Sequence, residues 1–239
     1  MNREFHRWFS PTLQREMDLL VFGHAGARLL IFPTSKGRFY EWEDRGMIGV
    51  LADQIEAGQL QVYCVDSVDE ESWYAWWKHP GSRAWRQTEY DRYLCDEVLP
   101  MTRAKNPDMT LITLGASFGA YHALNFALRH PELVGRAIGL SGVYDISYWA
   151  SDFAGGDVYY QNPVAYMANE SDPGRLAALQ RMDIILAVGR DDRLREQSER
   201  LSGVLWNRGI GNALRLWDGW SHDWPYWTQM IRQYIGGHD

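Results

Sequence analysis

The sequence predicts a single α/β domain over residues 1–239, with a mostly parallel central sheet, helices on both faces and an antiparallel hairpin at the N-terminal edge. Three observations predict it. Beyond residue 58, short apolar runs alternate with helix-periodic segments, and strands separated by helices favour parallel pairing with both sheet faces covered. No linker, repeat or low-complexity stretch interrupts the alternation. The 239 residues, 46% of them hydrophobic, suffice for one large core and require no second one.

Met17 to Phe22 and Ala27 to Phe32 are apolar runs flanking Gly23-His24-Ala25-Gly26, the pattern of a β-hairpin. Between Met47 and Ala57, Ile48, Leu51, Ala52 and Ile55 recur at i, i+3, i+4 and i+7, and Gly58 supplies a stop, so one helix is predicted there. Further strands are predicted at Leu60 to Val65, Thr110 to Leu114, Arg136 to Leu140, Asp183 to Val188 and Ala213 to Trp217. Helices are predicted around Glu89 to Arg103, Phe118 to Arg129, Arg193 to Arg208 and Trp224 to Ile235. In such a sheet, functional residues gather in the loops beyond the carboxyl ends of the strands.

Charge and composition exclude several classes. The net charge of −7 is spread along the chain without a basic cluster, so neither nucleic acid nor an anionic membrane is an expected partner. Arg3, Glu4, Arg7, Arg15, Glu16 and Asp18 interrupt the apolar residues of the first thirty, unlike a signal peptide, and no apolar run is long enough to span a bilayer. The expected location is the cytoplasm. Cys64 and Cys95 are the two cysteines; they form no disulfide framework and are expected buried and reduced.

Gly115-Ala116-Ser117-Phe118-Gly119 falls where a predicted strand turns into a predicted helix. A G-x-S-x-G elbow lifts its serine out of the sheet on a strained turn, so Ser117 is the candidate nucleophile. A serine hydroxyl needs a base within hydrogen-bond reach, and an imidazole base needs a carboxylate to fix its tautomer. His222 follows the last predicted strand, and Asp191 and Asp192 follow the one before it. The chain order is therefore serine, acid, histidine, with each residue beyond a strand end. His122, one turn into the elbow helix, shares a face with Phe118, Asn125 and Phe126 and is expected to be a packed helix residue. No His pair has zinc-protease spacing and no Cys/His cluster is visible, so neither metal nor cofactor is implied.

Twelve tryptophans are far above ordinary usage, and they concentrate in 73–77 and 220–227. Both segments are expected to border one cleft, with Trp73 and Tyr74 as walls of a semi-rigid acyl or aryl pocket. Large rings in irregular loops also serve as local core. Asp66, Asp69, Glu70 and Glu71 would disfavour an anionic substrate if they face the cleft.

The segments IFPTSKGRFYEWED, VDSVDEESWY, LGASFGAYHALNFALRHPE, LSGVYD and GWSHDWPYW follow one another through nearly the whole chain. In them the sequence resembles the α/β-hydrolase esterases grouped with esterase D, S-formylglutathione hydrolase, feruloyl esterases and the antigen 85 mycolyltransferases, and most closely a bacterial esterase subgroup. The resemblance implies an α/β-hydrolase fold, a Ser117, Asp192, His222 triad and hydrolysis through an acyl-enzyme. Asp192 is favoured over Asp191 because the family's acid commonly follows a G-x-x-D pattern, which Gly189 to Asp192 fits. The chain departs from the family where many relatives have His-Gly or Asp-Gly in the oxyanion loop and this one has Pro33-Thr34-Ser35. Proline has no N–H, so the oxyanion donors implied are Phe118 and Ser35, with Thr34 as the rival to Ser35. The expected activity is hydrolysis of a small neutral or aromatic ester, with self-association into a homo-oligomer open. An acyltransferase using the same triad, or a hydrolase-shaped binding protein without turnover, are the alternatives.

Overall fold

The computed structural model describes residues 1–151, 153 and 155–236. Eight strands form one sheet: β1 Arg3–Ser10, β2 Arg15–Phe22, β3 Ala27–Phe32, β4 Leu60–Val65, β5 Leu111–Ala116, β6 Arg136–Leu140, β7 Asp183–Gly189 and β8 Ala213–Trp217. Their order is β1-β2-β4-β3-β5-β6-β7-β8. The pairs β1–β2 and β2–β4 are antiparallel and the remaining five are parallel, so β2 alone runs against the others.

The N-terminal edge corrects one expected pairing. An antiparallel hairpin is present, but its strands are β1 and β2, with Arg3 opposite Phe22 and Ser10 opposite Arg15. The runs predicted to pair, β2 and β3, are instead separated by β4, which bonds both. The apolar pattern of β2 and β3 reports two buried faces and contains nothing about the partner.

Side chains along the strands alternate between two cores. Leu30, Phe32, Tyr63 and Val65 enter one, and Leu29, Ile31, Val62 and Cys64 enter the other. Helices α4 Pro80–Tyr93, α6 Phe118–Arg129, α8 Pro163–Ala168 and α10 Arg195–Asn207 cover the first core. Short helices α1 Glu41–Asp44, α2 Met47–Val50 and α3 Ala52–Glu56, with α11 Trp224–Tyr234, cover the second. The single helix predicted at 47–57 is thus two, broken at Leu51 (φ −99°, ψ 5°). Gly49 weakens helix propensity just before the break. The helix predicted from Glu89 is longer: α4 continues through a π-helical turn, Leu94–Val98, into α5 Leu99–Lys105. Helices α7 Gly156–Tyr160 and α9 Pro173–Leu179, like α8, were not predicted, because one or two turns carry too little periodicity. No helix among the described residues is long and apolar enough to cross a membrane.

Candidate active site

Ser117 caps the start of α6 with φ 54° and ψ −118°. Such a conformation costs a non-glycine residue about 1–3 kcal/mol and persists only when its surroundings over-determine it. Here the Ser117 N–H donates to Leu140 O at 2.8 Å, and its carbonyl accepts from Val143 N at 3.3 Å. Gly119 lets the loop after β3 lie against this turn, since a Cβ at that position would stand 2.5 Å from the Pro33 carbonyl oxygen. As the first residue of α6, Phe118 has an N–H with no intrahelical acceptor, and it starts the helix beside that loop.

His222 and Asp192 meet on the neighbouring loops. His222 Nδ1 and Asp192 Oδ2 are 2.8 Å apart, with side-chain exposures of 13% and 0%. The second carboxylate oxygen, Oδ1, accepts the Leu194 N–H at 2.9 Å. Asp191 is exposed and is tied in through its backbone, whose N–H donates to Gly219 O. Trp220 stacks on the imidazole (5.7 Å between centroids, 26°), and Trp227 meets it at 5.4 Å and 64°. Gly189 admits this loop to the end of β7, because a Cβ there would lie 2.2 Å from the Trp220 carbonyl oxygen.

Two residues that sequence reading missed link the serine turn to the histidine loop. Ser141 Oγ donates to Ser221 O at 3.2 Å and accepts the Trp227 Nε1–H at 3.1 Å. Ser141 and Ser221 both have positive φ, 50° and 47°. Leu140, just before Ser141, accepts the Ser117 N–H, so a short path of bonds joins Ser117 to the residue preceding His222. A serine in the left-handed region carries no mark in a sequence. Their positions, one residue past β6 and one before His222, were the available signal.

The loop after β3 is anchored by two carboxylates. Glu41 accepts both the Thr34 N–H and the Thr34 hydroxyl at 2.7 Å. Asp69 Oδ2 accepts the Lys36 N–H at 2.8 Å. Between these anchored donors, and among the described residues, the Ser35 N–H meets no acceptor. Thr34 therefore has its N–H committed elsewhere.

Tyr74 and Trp73 part company. Tyr74 is half-buried; its hydroxyl donates to Ser35 Oγ at 2.8 Å and its ring meets Phe118 at 5.1 Å and Trp149 at 6.3 Å. Burial pushes its phenol pKa up, so it stands there as a neutral donor. Trp73, expected at a pocket wall, is 0% exposed: it packs with Phe118, Tyr121 and Ala84, and its indole N–H donates to Tyr121 Oη at 3.0 Å. Its amphipathic ring closed a local core because a buried N–H acceptor was at hand. Of the four acids near this loop, Asp66 and Asp69 are buried and Glu71 binds Arg15 and Arg86, which leaves Glu70 facing solvent.

His122 is buried as expected, but it is not a mere packing residue: its Nε2 lies 2.8 Å from Asp69 Oδ1. Asp91, Cys95 and His130, which the sequence did not bring together, place one potential ligand atom each within 4.8 Å of one another. The Arg129 guanidinium, 3.3 Å from Asp91, already supplies the positive charge there.

Sheet order and a serine turn at the centre of the parallel strands are those of the α/β-hydrolase fold. Residues 37–236 match the family described as "Putative esterase"; the chain belongs to it and is a carboxylesterase-like enzyme. It is similar to a ferulic acid esterase structure (18% identity, TM-score 0.78, covering 97% of this chain and 95% of that one). It is also similar to an S-formylglutathione hydrolase from Agrobacterium tumefaciens (15% identity, TM-score 0.73, 98% and 93%). A third similar structure is MPT51 of Mycobacterium tuberculosis (16% identity, TM-score 0.69, 100% of both chains). No curated protein matches the sequence.

Proposed function

We propose that the enzyme hydrolyses a small neutral or aromatic carboxylic ester through a Ser117, His222, Asp192 triad. The observation that carries this reading is the hydrogen-bonded His222–Asp192 pair set on the loop linked, through Ser141, to the strained Ser117 turn. In the proposed reaction His222 Nε2 takes the Ser117 hydroxyl proton as Oγ attacks the acyl carbonyl. Asp192 keeps the opposite ring nitrogen protonated and stabilises the imidazolium. The Phe118 and Ser35 N–H groups receive the developing oxyanion, a role for which two preorganised donors are needed. Collapse of the tetrahedral intermediate releases the alcohol, which takes the proton from His222. Water then enters by the same route and frees the acid. The half-buried Tyr74 ring beside Phe118 and the exposed Trp220 beside His222 support an acyl or aryl group held between aromatic surfaces.

The test is Ser117→Ala assayed on a short p-nitrophenyl ester. The kcat is expected to fall by about 10⁴ or more while the melting temperature holds, and labelling by a fluorophosphonate probe is expected to vanish. Turnover or labelling that survives the substitution rejects the reading.

A further inference from the structure

We propose that His122 and Asp69 form a second histidine–carboxylate pair whose task is to hold the loop 33–37 so that the Ser35 N–H faces the Phe118 N–H; it is a positioning pair, and its catalytic consequence rests on the esterase reading above. His122 Nε2 and Asp69 Oδ1 are 2.8 Å apart, with side-chain exposures of 1% and 0%. Asp69 Oδ2 accepts the Lys36 N–H at 2.8 Å, and the Asp69 carbonyl accepts the Tyr74 N–H at 2.9 Å. One residue therefore joins three parts of the site: its carboxylate holds helix α6 one turn past the nucleophile and the loop with Ser35, and its backbone carbonyl holds the loop with Tyr74.

Geometry leaves His122 no part in proton transfer at the reacting atoms. Its Nδ1 faces Gln87 Nε2 at 3.3 Å, so an Nε2–H imidazole donates to Asp69 and accepts from Gln87, with both nitrogens occupied. The ring is enclosed by Phe32, Tyr90, Phe118 and Tyr121 at centroid separations of 5.1–6.0 Å. Stability is a poor reason for such an arrangement, because burying a carboxylate and an imidazole costs desolvation that apolar residues of the same volume would not incur. Direction is the better reason. Lys36 sits at φ 56°, a left-handed conformation unfavourable to a side chain, and the Asp69 bond to its N–H holds it there. With Thr34 pinned by Glu41 on one side and Lys36 pinned by Asp69 on the other, the Ser35 peptide has its direction set at both ends. The route from Phe118 along α6 to His122, across Asp69 and into Lys36 then sets the separation of the two oxyanion donors.

Asp69→Ala tests the clamp, because it removes the acceptors of both the His122 and the Lys36 N–H, whereas an asparagine could keep Lys36 on its oxygen and donate to the other tautomer of His122. Backbone hydrogen exchange over residues 34–37 is expected to accelerate at least about tenfold, and kcat on a short p-nitrophenyl ester to fall about a hundredfold with KM changed less than about threefold, as for a lost oxyanion donor. His122→Gln keeps one donor toward Asp69 and is expected to lose less, about tenfold in kcat, again with faster exchange at 34–37. It decides the matter alone if Asp69→Ala does not fold. A folded variant with wild-type exchange in that segment, or with wild-type kcat, overturns the proposal. Absence of Ser117-dependent turnover in the wild type would reject the esterase reading instead, and the exchange rates would then decide the clamp by themselves.

Discussion

Asp192 presents its two oxygens to different donors, and this determines what an amide in its place would do. With Oδ1 held by the Leu194 N–H, the Nδ2 of an asparagine would face His222 Nδ1 and force that nitrogen to accept. The proton would move to Nε2, the atom proposed to receive the Ser117 proton. Asp192→Asn is thus expected to lower kcat by roughly 10³–10⁴, and Asp191→Asn, whose side chain is exposed, by less than about tenfold; steady-state kinetics on both variants would show it, and the opposite ranking would move the role to Asp191. Trp73 belongs to the same scale with a different outcome. Because it is fully buried and hydrogen-bonded to Tyr121, Trp73→Ala is expected to cost about 3–5 kcal/mol, which at about 2–4 °C per kcal/mol lowers the melting temperature by on the order of 10 °C. A calorimetric scan that showed little change, with KM raised instead, would return the residue to the pocket wall.

The strand β1 shows how an element can exist without a legible pattern. Its residues alternate between exposed and half-buried, with Phe5 and Phe9 about half exposed, so no apolar face marks it. Glu97, in the π-helical turn after α4, fastens it: the carboxylate accepts the Trp8 indole N–H at 2.7 Å, the Ser10 hydroxyl at 2.7 Å and the Thr12 N–H at 3.1 Å. Burial by itself pushes the Glu97 pKa up, but the hydrogen bonds from Thr12, Trp8 and Ser10 outweigh it and the net shift is downward. A depressed folded pKa means stability that is present above the unfolded value, about 4.3, and is lost as pH falls through the folded one. Glu97→Gln is therefore expected to cost about 1–2 kcal/mol at pH 7, and the gap between wild type and variant to close as the pH drops below about 4. Denaturant melts across that range would reveal it; a gap independent of pH would remove the carboxylate from the account.

At the scale of the whole molecule, the two thiols report how the sheet opens. Cys64 lies on the interior strand β4 at 1% exposure, and burial pushes its thiol pKa well up. Cys95 is half-buried, and burial together with the Asp91 charge pushes its thiol up to about 12. Neither is a thiolate at pH 8, and the thiolate is the reacting form. A disulfide reagent at that pH is expected to modify Cys95 slowly and Cys64 only through global unfolding, with a rate that rises with denaturant as the unfolding equilibrium does. Mass spectrometry of the labelled peptides distinguishes the sites, and native-state labelling of Cys64 at the speed of a free thiol would show that β4 opens locally.

The sequence by itself determined the alternation of strands and helices, the bounds of β4, β6, β8 and α6 to the residue, and the positions of Ser117, Asp192 and His222 beyond strand ends. These are local properties: periodicity records how many faces an element buries, and glycines record where chains approach closely. Tertiary structure alone decided that β4 inserts between β2 and β3, that Asp192 rather than Asp191 turns toward His222, that Trp73 faces inward while Tyr74 reaches Ser35, and that His122 finds Asp69. Each depends on a partner distant in sequence, and the direction in which a loop side chain points is set by the buried donor or acceptor that receives it, which no local pattern encodes.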